Sequence, residues 1–381
     1  MKFSSRHKRI LILVRCLIRE VLSGSADKIP KDISRVIVVP TGKLGDVVCA
    51  TPVLRALRDG LPRVHIIVAG NSKLHRALLS DSGLVDEYLD LEEKDIISRI
   101  KKSRANAAFV TGPSFEPIAK LYVAGIPLVV GPRIFGGFSP SETRPYKMLQ
   151  GFIKTFPYHV EAYAPRERLR CLESIGIFSD DTKKHLGFSE EADKKTKQFL
   201  NDREIIFGKD LIVGISPTAG NKIKEWPEER FAEVANHIGK KYGAKIILIG
   251  GENDGKKIDK TISHIDPGLK VLRVTNFNLD MLKALIAKLS LFIAVDTGPI
   301  YIAEAFNVPT IDIVGPVDER VQPPRGPIHR NVLPPGRLRA ELSILNARSY
   351  NTEEAMRQVL STTPEAVLEE VESLMRDIYK L

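Results

Sequence analysis

The segment RVIVVPTGKLGD, Arg35–Asp46, decides how the first half of this chain folds. Its first part, Arg35–Pro40, is a short β-branched run of the kind that forms a strand buried on both faces of a sheet. The turn Thr41–Asp46 follows at once, and the next apolar residues lie on one side of a predicted helix: Val47, Val48, Leu54 and Leu57. A strand, a glycine-containing turn and a helix are the opening unit of a doubly wound α/β fold.

The same alternation of strand and helix recurs in two series along the chain. The first series of predicted strands comprises Arg35–Pro40, His65–Ala69, Ala107–Thr111 and Leu128–Val130. The second comprises Leu211–Ser216, Lys245–Gly250, Val271–Val274, Leu291–Val295 and Thr310–Val314. Two such series predict an α/β protein with two Rossmann-like, doubly wound domains and a cleft between them.

Changes in composition divide the chain into five segments. They are a basic amphipathic N-terminal extension, 1–28, a first Rossmann-like domain, 29–177, a charged linker bearing a helix, 178–209, a second Rossmann-like domain, 210–350, and C-terminal helices, 351–381. The last helix is expected to begin at Thr363 and Pro364, since a capping threonine followed by proline is typical of a helix start.

Composition excludes several classes of protein. With 43% hydrophobic and 27% charged residues over 381 positions, the chain can bury a sizeable core. The net charge of +10 favours anionic partners, but the basic residues are scattered and aromatics make up only 7%, which argues against nucleic acid. Cys16, Cys49 and Cys171 have no paired spacing, which argues against disulfides and a zinc site and fits a reducing cytoplasm. No stretch reaches the roughly 18 apolar residues of a membrane span.

The N-terminal extension has two interpretations. Apolar residues recur at helical spacing from Ile10 to Leu22, and Arg15 interrupts the run that a secretory signal would need. The helix either lies in a membrane interface, with its cations towards anionic headgroups, or packs on the surface of the protein itself.

The turn after the first strand carries the first candidate site. Gly42 and Gly45 let the backbone approach a ligand closely, beside a helix N-terminus that attracts anions. The turn is not a P-loop, because Lys43 is followed by leucine and the upstream glycine is absent. Asp46 is either a general base at the carboxyl end of a strand or only the cap of the next helix.

Three loops of the second series are suited to a nucleotide. Thr218, Lys222 and Lys224 follow one strand and supply a hydroxyl and two ammonium groups for a diphosphate, while Trp226 is expected to pack. The turn Asp296–Pro299 follows another strand, and there Asp296 is expected to hold the turn while Thr297 and the Gly298 amide face phosphates. The loop Gly250–Asp254 follows a third strand and either binds a ribose diol through a carboxylate or is a solvated turn.

Four motifs resemble glycosyltransferase family 9, the ADP-heptose:lipopolysaccharide heptosyltransferase family, in the order in which that family has them. They are GKLGDVVCATPVLRALR (Gly42–Arg58), ISPTAGNKIKEWPEERFAEVA (Ile215–Ala235), ILIGGENDGK (Ile247–Lys256) and LSLFIAVDTGPIYIAEAFNVPTIDIVGP (Leu289–Pro316). The resemblance implies a GT-B fold in which the first domain binds acceptor, the second binds the nucleotide sugar, and the final helix crosses back to the first. It also implies inverting, metal-independent transfer without a cofactor, of heptose from ADP-heptose to a lipopolysaccharide core acceptor, in the cytoplasm or peripherally on the cytoplasmic face of the inner membrane.

The same resemblance implies roles for single residues. Asp46 matches the base that deprotonates the acceptor, Lys224 and Thr218 match donor-binding residues, and Thr297 with Gly298 matches the phosphate-binding turn. Glu252 or Asp254 takes the place of the ribose-binding acid, with spacing in favour of Asp254.

One departure from the family is Tyr301, which stands where a histidine is common. A tyrosine can still donate one hydrogen bond but carries no charge, which puts the sugar in question more than the reaction. Two alternatives therefore stay open: another nucleotide sugar used for capsule or O-antigen assembly, and a nucleotide-binding module that has lost catalysis.

Overall fold

A computed structural model describes residues 5–343, 345 and 350–380. The chain divides into two compact units, Met1–His185 (unit 1) and Leu186–Leu381 (unit 2). The boundary falls inside the segment 178–209 that the sequence predicts as a linker.

Unit 1 is built on a sheet of parallel strands in the order β3-β2-β1-β4-β5-β6. Its elements are α1 (Ser5–Ser23), β1 (Arg35–Val39), α2 (Leu44–Val48), α3 (Thr51–Gly60), β2 (His65–Gly70), α4 (Ser72–Leu79), β3 (Glu87–Asp90), α5 (Ile96–Lys102), β4 (Ala107–Val110), α6 (Phe115–Val123), β5 (Leu128–Phe135), α7 (Arg144–Leu149), β6 (Lys154–His159) and α8 (Ala164–Leu169). A 3₁₀ segment, Arg170–Ile175, continues from α8.

Unit 2 is built on a second parallel sheet, in the order β12-β11-β10-β7-β8-β9. Its elements are α9 (Glu190–Asn201), β7 (Ile212–Ser216), α10 (Glu228–Tyr242), β8 (Lys245–Ile249), α11 (Gly255–Ser263), β9 (Val271–Val274), α12 (Leu279–Ile286), β10 (Leu291–Val295), α13 (Gly298–Ala305), β11 (Thr310–Ile313), β12 (His329–Val332), α14 (Thr352–Ser361) and α15 (Pro364–Tyr379). Two 3₁₀ turns, Lys222–Lys224 and Glu252–Asp254, lie in its loops.

The α/β fold class predicted from the sequence is confirmed. Every residue of β4, β7 and β10 is buried, as expected for strands covered by helices on both faces of a parallel sheet. Counted within each unit, the strand order is third, second, first, fourth, fifth, sixth in both, which is the doubly wound order.

This order fixes where each unit can bind a ligand. The direction of winding reverses between β1 and β4 in unit 1, and between β7 and β10 in unit 2. In open α/β sheets, ligands bind beyond the carboxyl ends of the strands at this reversal. The turn Thr41–Asp46 follows β1, the loop from Pro217 follows β7, and the turn Asp296–Gly298 follows β10.

Three strands were missed by the sequence analysis: β3, β6 and β12. All three lie at an edge of their sheet, where only one neighbour pairs with them. Their sequences, EYLD, KTFPYH and HRNV, contain charged residues and a proline, which edge strands tolerate and buried strands do not.

The helices of the predicted linker and of the C-terminal segment pack within unit 2. Helix α9, from the predicted linker, packs on α12. Helices α14 and α15 contribute Val359, Val367 and Val371 to the core beneath the second sheet. That the final helix also reaches the N-terminal domain stays a prediction. Within the described part of the chain, no helix combines the length and apolarity needed to span a membrane.

Candidate functional site

Asp46 lies in the first turn of α2, directly after the turn that follows β1. Its Oδ2 accepts a hydrogen bond of 2.8 Å from the backbone N–H of Lys43, so the side chain does cap the helix. Gly42 has a φ of +110°, and a Cβ at that position would lie 2.3 Å from Asp46 Oδ2. The glycine therefore provides the space that the carboxylate occupies.

The second oxygen of Asp46 is held by Arg168 of α8, a residue that the sequence analysis missed. Arg168 Nη2 donates to Asp46 Oδ1 at 2.9 Å, and Nη1 donates to the Asp46 carbonyl at 2.9 Å. The Arg168 side chain is only 3% exposed, whereas that of Asp46 is 20% exposed. A buried guanidinium thus fixes the orientation of the Asp46 carboxylate, which remains accessible to solvent. Because the carboxylate is accessible, its hydrogen bond to the helix N-terminus does not exclude a role as a base.

Tyr158 of β6 belongs to the same environment. Burial raises the pKa of its hydroxyl to about 12, with a smaller upward contribution from Asp46 opposed by Arg168. The hydroxyl therefore stays protonated at physiological pH. Tyr158 is only 1% exposed, so Asp46 is the more accessible of these two acids to solvent.

In unit 2, Lys224 and Tyr301 converge on Asp296. Lys224 Nζ donates to Asp296 Oδ2 at 2.7 Å and, by a shorter contact, to the Asp296 carbonyl. The Tyr301 hydroxyl donates to Asp296 Oδ1. Asp296 thereby joins the loop after β7 to the turn after β10, in keeping with the turn-holding role expected for it. Since an ammonium has three N–H donors and two are used here, one remains for a ligand.

Thr297 and Gly298 form the start of α13. Thr297 occupies the N-cap position in an extended conformation, and the helix begins at Gly298 with Pro299 in its first turn. The first backbone N–H groups of a helix lack intrahelical partners and favour negative charge. Both residues are half-buried next to Asp296, so the turn offers a donor surface beside the Lys224 ammonium.

The remaining predicted residues of unit 2 differ in how firmly they are held. Asp254 Oδ2 accepts hydrogen bonds from the Thr218 hydroxyl at 3.0 Å and from the Gly251 N–H at 2.8 Å. Glu252 and Lys222 are exposed. Asp254 is the better ordered of the two candidate ribose-binding acids, since neighbouring groups fix its carboxylate.

Trp226 packs, as the sequence analysis expects. Its side chain is fully buried, lies edge-to-face on Phe231 and donates from Nε1 to the carbonyl of Thr362 at 3.0 Å. The indole thereby fixes the segment that joins α14 to α15 against the Lys224 loop.

A buried acid beneath this site escaped the sequence analysis. Asp312 lies in β11, pairs in register with Ala294 of β10, and is fully buried. Neither of its carboxylate oxygens has a hydrogen-bond partner among the described residues. Burial raises the pKa of Asp312 well above its usual range, the charge of Asp296 raises it further, Lys224 lowers it and Glu304 raises it. Burial therefore favours the protonated, neutral form of Asp312.

The structure thus assembles the predicted residues into two separate groups. Unit 1 brings Asp46 together with Gly42, Lys43 and Arg168, and unit 2 brings Lys224 together with the turn Asp296–Gly298. Among the residues that the structure describes, no group of three or more His, Cys, Asp or Glu side chains is placed to hold a metal ion. A carboxylate held open in one unit and an anchored ammonium beside a helix N-terminus in the other are groups suited to proton removal and phosphate binding.

Comparison with known proteins gives a consistent result. The sequence model of glycosyltransferase family 9 (heptosyltransferase) matches residues 120–336, more than half of the chain. Lipopolysaccharide heptosyltransferase 3 of Escherichia coli K12 is 26% identical over 295 residues, which is 72% of this chain and 80% of that protein.

Two solved structures share the fold. The E. coli ADP-heptose lipopolysaccharide heptosyltransferase II matches with a TM-score of 0.70 at 20% identity, covering 90% of this chain and 99% of that one. The E. coli heptosyltransferase WaaC with ADP-2-deoxy-2-fluoro heptose matches with a TM-score of 0.62 at 16% identity, covering 89% and 99%. The GT-B fold class is thereby confirmed.

Proposed function

The chain belongs to glycosyltransferase family 9 and is an enzyme of the glycosyltransferase type, and on this premise we propose that it transfers heptose from ADP-heptose to a lipopolysaccharide core acceptor. The observation that carries the proposal is the anchored ammonium of Lys224, held by Asp296 beside the turn Thr297–Gly298. A nucleoside diphosphate needs positive charge and N–H donors at this place in a doubly wound sheet.

On the acceptor side, Asp46 is the general base. It removes the proton of the acceptor hydroxyl as that oxygen attacks the anomeric carbon of the donor. The bond between the anomeric carbon and the diphosphate oxygen breaks from the opposite face, so the configuration inverts. A positioned base of this kind contributes about 10²–10⁴-fold to the rate. Arg168 and the Lys43 N–H, which hold one carboxylate oxygen each, support this role by fixing the direction of the carboxylate.

On the donor side, Lys224 and the start of α13 stabilise the charge that develops on the leaving diphosphate. Lys224 keeps its two bonds to Asp296 and gives its third N–H to a phosphate oxygen, and Thr297 and the Gly298 amide bind the same group. Asp254 accepts hydrogen bonds from the ribose diol. Tyr301, which is almost fully buried, acts through Asp296 by holding its second oxygen. We propose that these groups make a divalent metal unnecessary.

The proposed acceptor is a glycolipid, so we also propose that the enzyme works in the cytoplasm at the cytoplasmic face of the inner membrane, in peripheral contact with it.

The first experiment is a thermal-shift titration of the purified protein with ADP, UDP, GDP, CMP and ADP-heptose. A ligand at about 100 times its Kd stabilises the native state by about 2.7 kcal/mol, which is readily measured. We expect ADP and ADP-heptose alone to stabilise the protein. If the protein prefers another nucleotide, the proposed donor is wrong but the proposed mechanism can stand. If none of the five ligands binds, the alternative of a module that has lost catalysis is favoured.

The second experiment measures transfer to a heptose-deficient lipopolysaccharide acceptor with and without EDTA. We expect transfer in both conditions and inversion at the anomeric carbon of the product. The Lys224→Met variant should lose ADP binding, and the control variant Lys194→Met, which removes an exposed lysine of α9 in the same unit, should keep it. Loss of transfer in EDTA that Mg²⁺ restores would contradict metal independence.

A further inference from the structure

Helix α1 is attached firmly to unit 1 along one face. Ile12 and Leu13 pack on the core around α6, and Cys16 lies fully buried within it. Arg19 donates to the carbonyls of Tyr122 and Ile126, and its guanidinium carbon lies 4.0 Å from the centroid of the Tyr122 ring. The helix is therefore part of the folded unit, held by both apolar packing and hydrogen bonds, and its orientation on α6 is fixed.

The opposite face of α1 is apolar and exposed. It consists of seven side chains that are 38–86% exposed: Ile10, Leu11, Val14, Leu17, Ile18, Val21 and Leu22. At about 100° per residue, all seven fall within an arc of about 140°. A surface helix of a globular protein normally turns its polar residues outward. Here the outward face carries the apolar residues, and this seven-residue set is called the apolar face of α1 below.

The charge around this face indicates what covers it. The first 23 residues contain six Lys or Arg and one Glu, so this segment carries half of the chain's net charge of +10. Arg15 is exposed and borders the apolar face, while Lys2, Arg6 and Lys8 precede it in the sequence. A second copy of the chain would bring two such positive segments together, which like-charge repulsion disfavours. An anionic lipid surface offers both a negative headgroup layer and an apolar interior.

We propose that the apolar face of α1 is a docking surface for an anionic membrane, with the helix lying in the plane of the interface. The seven apolar side chains enter the boundary between headgroups and acyl chains, and Arg15 contacts the headgroups. The inference deepens the proposed function, on which it rests for the presence of a membrane-bound acceptor, by naming the surface that makes the contact.

The test is co-sedimentation of the full-length protein with vesicles of phosphatidylcholine alone and of phosphatidylcholine mixed with phosphatidylglycerol. The triple variant Ile18→Gln, Val21→Gln, Leu22→Gln removes three of the seven side chains of the apolar face, and glutamine is a good helix former, so α1 persists. The matched control, Phe178→Gln, Leu338→Gln, Met356→Gln, removes three exposed apolar side chains elsewhere. We expect the wild type and the control to bind the anionic vesicles, and the α1 variant to bind at least about tenfold more weakly.

Three outcomes would overturn the proposal. In the first, the wild-type protein remains in the supernatant with both kinds of vesicle. In the second, the α1 variant binds the vesicles as well as the wild type does. In the third, the wild type is a dimer and the α1 variant is a monomer, which would assign the apolar face of α1 to a second copy of the chain. ADP binding is measured on the same samples. If the wild type binds ADP but no vesicles, the proposal for α1 fails and the proposed function is unaffected. If it binds vesicles but not ADP, the proposed function fails and the proposal for the α1 surface is unaffected.

Discussion

At the scale of single residues, a local sequence pattern can predict that a residue is a candidate for the site, but it cannot predict which distant residue contacts it in the folded chain. Asp46 is a candidate from the sequence because it follows two glycines in a turn after a strand, and the family resemblance implies its role as a base. Arg168, its buried partner, lies 122 residues further along the chain, and no spacing connects the two. Asp312 is hidden in TIDIV, where the apolar neighbours predict a buried strand but not that its single acid is buried with them.

Arg168 provides the first prediction at this scale. Lysine keeps a positive charge but cannot make the paired bonds of a guanidinium, so Arg168→Lys should let the Asp46 carboxylate move. A displacement of about 1 Å can cost about 10²-fold in rate, and we expect a loss of that size in kcat for transfer. ADP binding, which we propose to depend on unit 2, should not change.

The control for Arg168→Lys is Arg166→Lys, on the same helix, because Arg166 is exposed and pairs with Asp180. Circular dichroism checks that both variants fold. Transfer at the wild-type rate in Arg168→Lys would show that the guanidinium does not position Asp46.

Asp312 provides a prediction about pH. Burial and the charge of Asp296 raise the pKa of Asp312 well above its usual range, so the folded protein keeps this proton while the unfolded chain loses it above about pH 4. The folded state then binds more protons, and this group lowers the free energy of unfolding as the pH rises from about 4 towards its folded pKa.

Asparagine has the same size as aspartate and does not ionise, so Asp312→Asn should be more stable than the wild type near neutrality. Above about pH 4 the gain should grow by about 1.4 kcal/mol for each unit of pH until the pH reaches the folded pKa of Asp312, and it should shrink towards zero near pH 4. Urea denaturation across this pH range measures it, with the exposed Asp202→Asn as control. A difference in stability that does not vary with pH would contradict a raised pKa at Asp312.

At the scale of elements, the interior strands were predicted and three edge strands were not. Interior strands such as β10, LFIAV, are continuous apolar runs because helices cover both faces. An edge strand such as β6, KTFPYH, pairs on one side only and contains a proline and charged residues, so its sequence resembles that of a loop. The apolar sequence pattern that predicts a strand results from burial, and burial is least complete in the strands at the edges of a sheet.

The turn between β1 and α2 provides the prediction at this scale. A methyl group at Gly42 would lie 2.3 Å from Asp46 Oδ2, so Gly42→Ala must displace the carboxylate. Gly125 is the matched control, since it too has a positive φ, +91°, but has open space where a Cβ would go. Both variants should lose about 1 kcal/mol of stability from backbone strain.

Only Gly42→Ala should also lose transfer, by about 10²-fold or more. The measurement is kcat for both variants beside their urea midpoints. Equal losses of transfer in the two variants would mean that strain alone, and not the position of Asp46, explains the effect.

At the scale of the whole molecule, the two sheets have the same strand order but carry different chemistry at the point of reversal. Unit 1 presents a carboxylate held by a buried guanidinium, and unit 2 presents an ammonium held by a carboxylate. The sequence predicted both series of strands and most of the candidate residues, because these lie in turns directly after buried strands. It could not predict which pairs of charges neutralise one another, because each pair joins segments far apart in the chain.

This division of charge predicts that donor binding and proton removal can be lost separately. Asp46→Asn keeps an oxygen that can accept from Lys43 or Arg168 but cannot take a proton from the acceptor, so transfer should fall by about 10²–10⁴-fold. ADP affinity should stay close to that of the wild type, since the proposed donor-binding groups lie in unit 2. Lys224→Met should weaken ADP binding and transfer together, because it removes the charge that both the bound diphosphate and the transition state require. Calorimetric titration with ADP and single-turnover transfer measure the two properties on the same preparations, with the exposed Asp59→Asn as control. Normal turnover in Asp46→Asn would exclude this residue as the base, and a parallel loss of ADP affinity would mean that Asp46 contributes to donor binding instead.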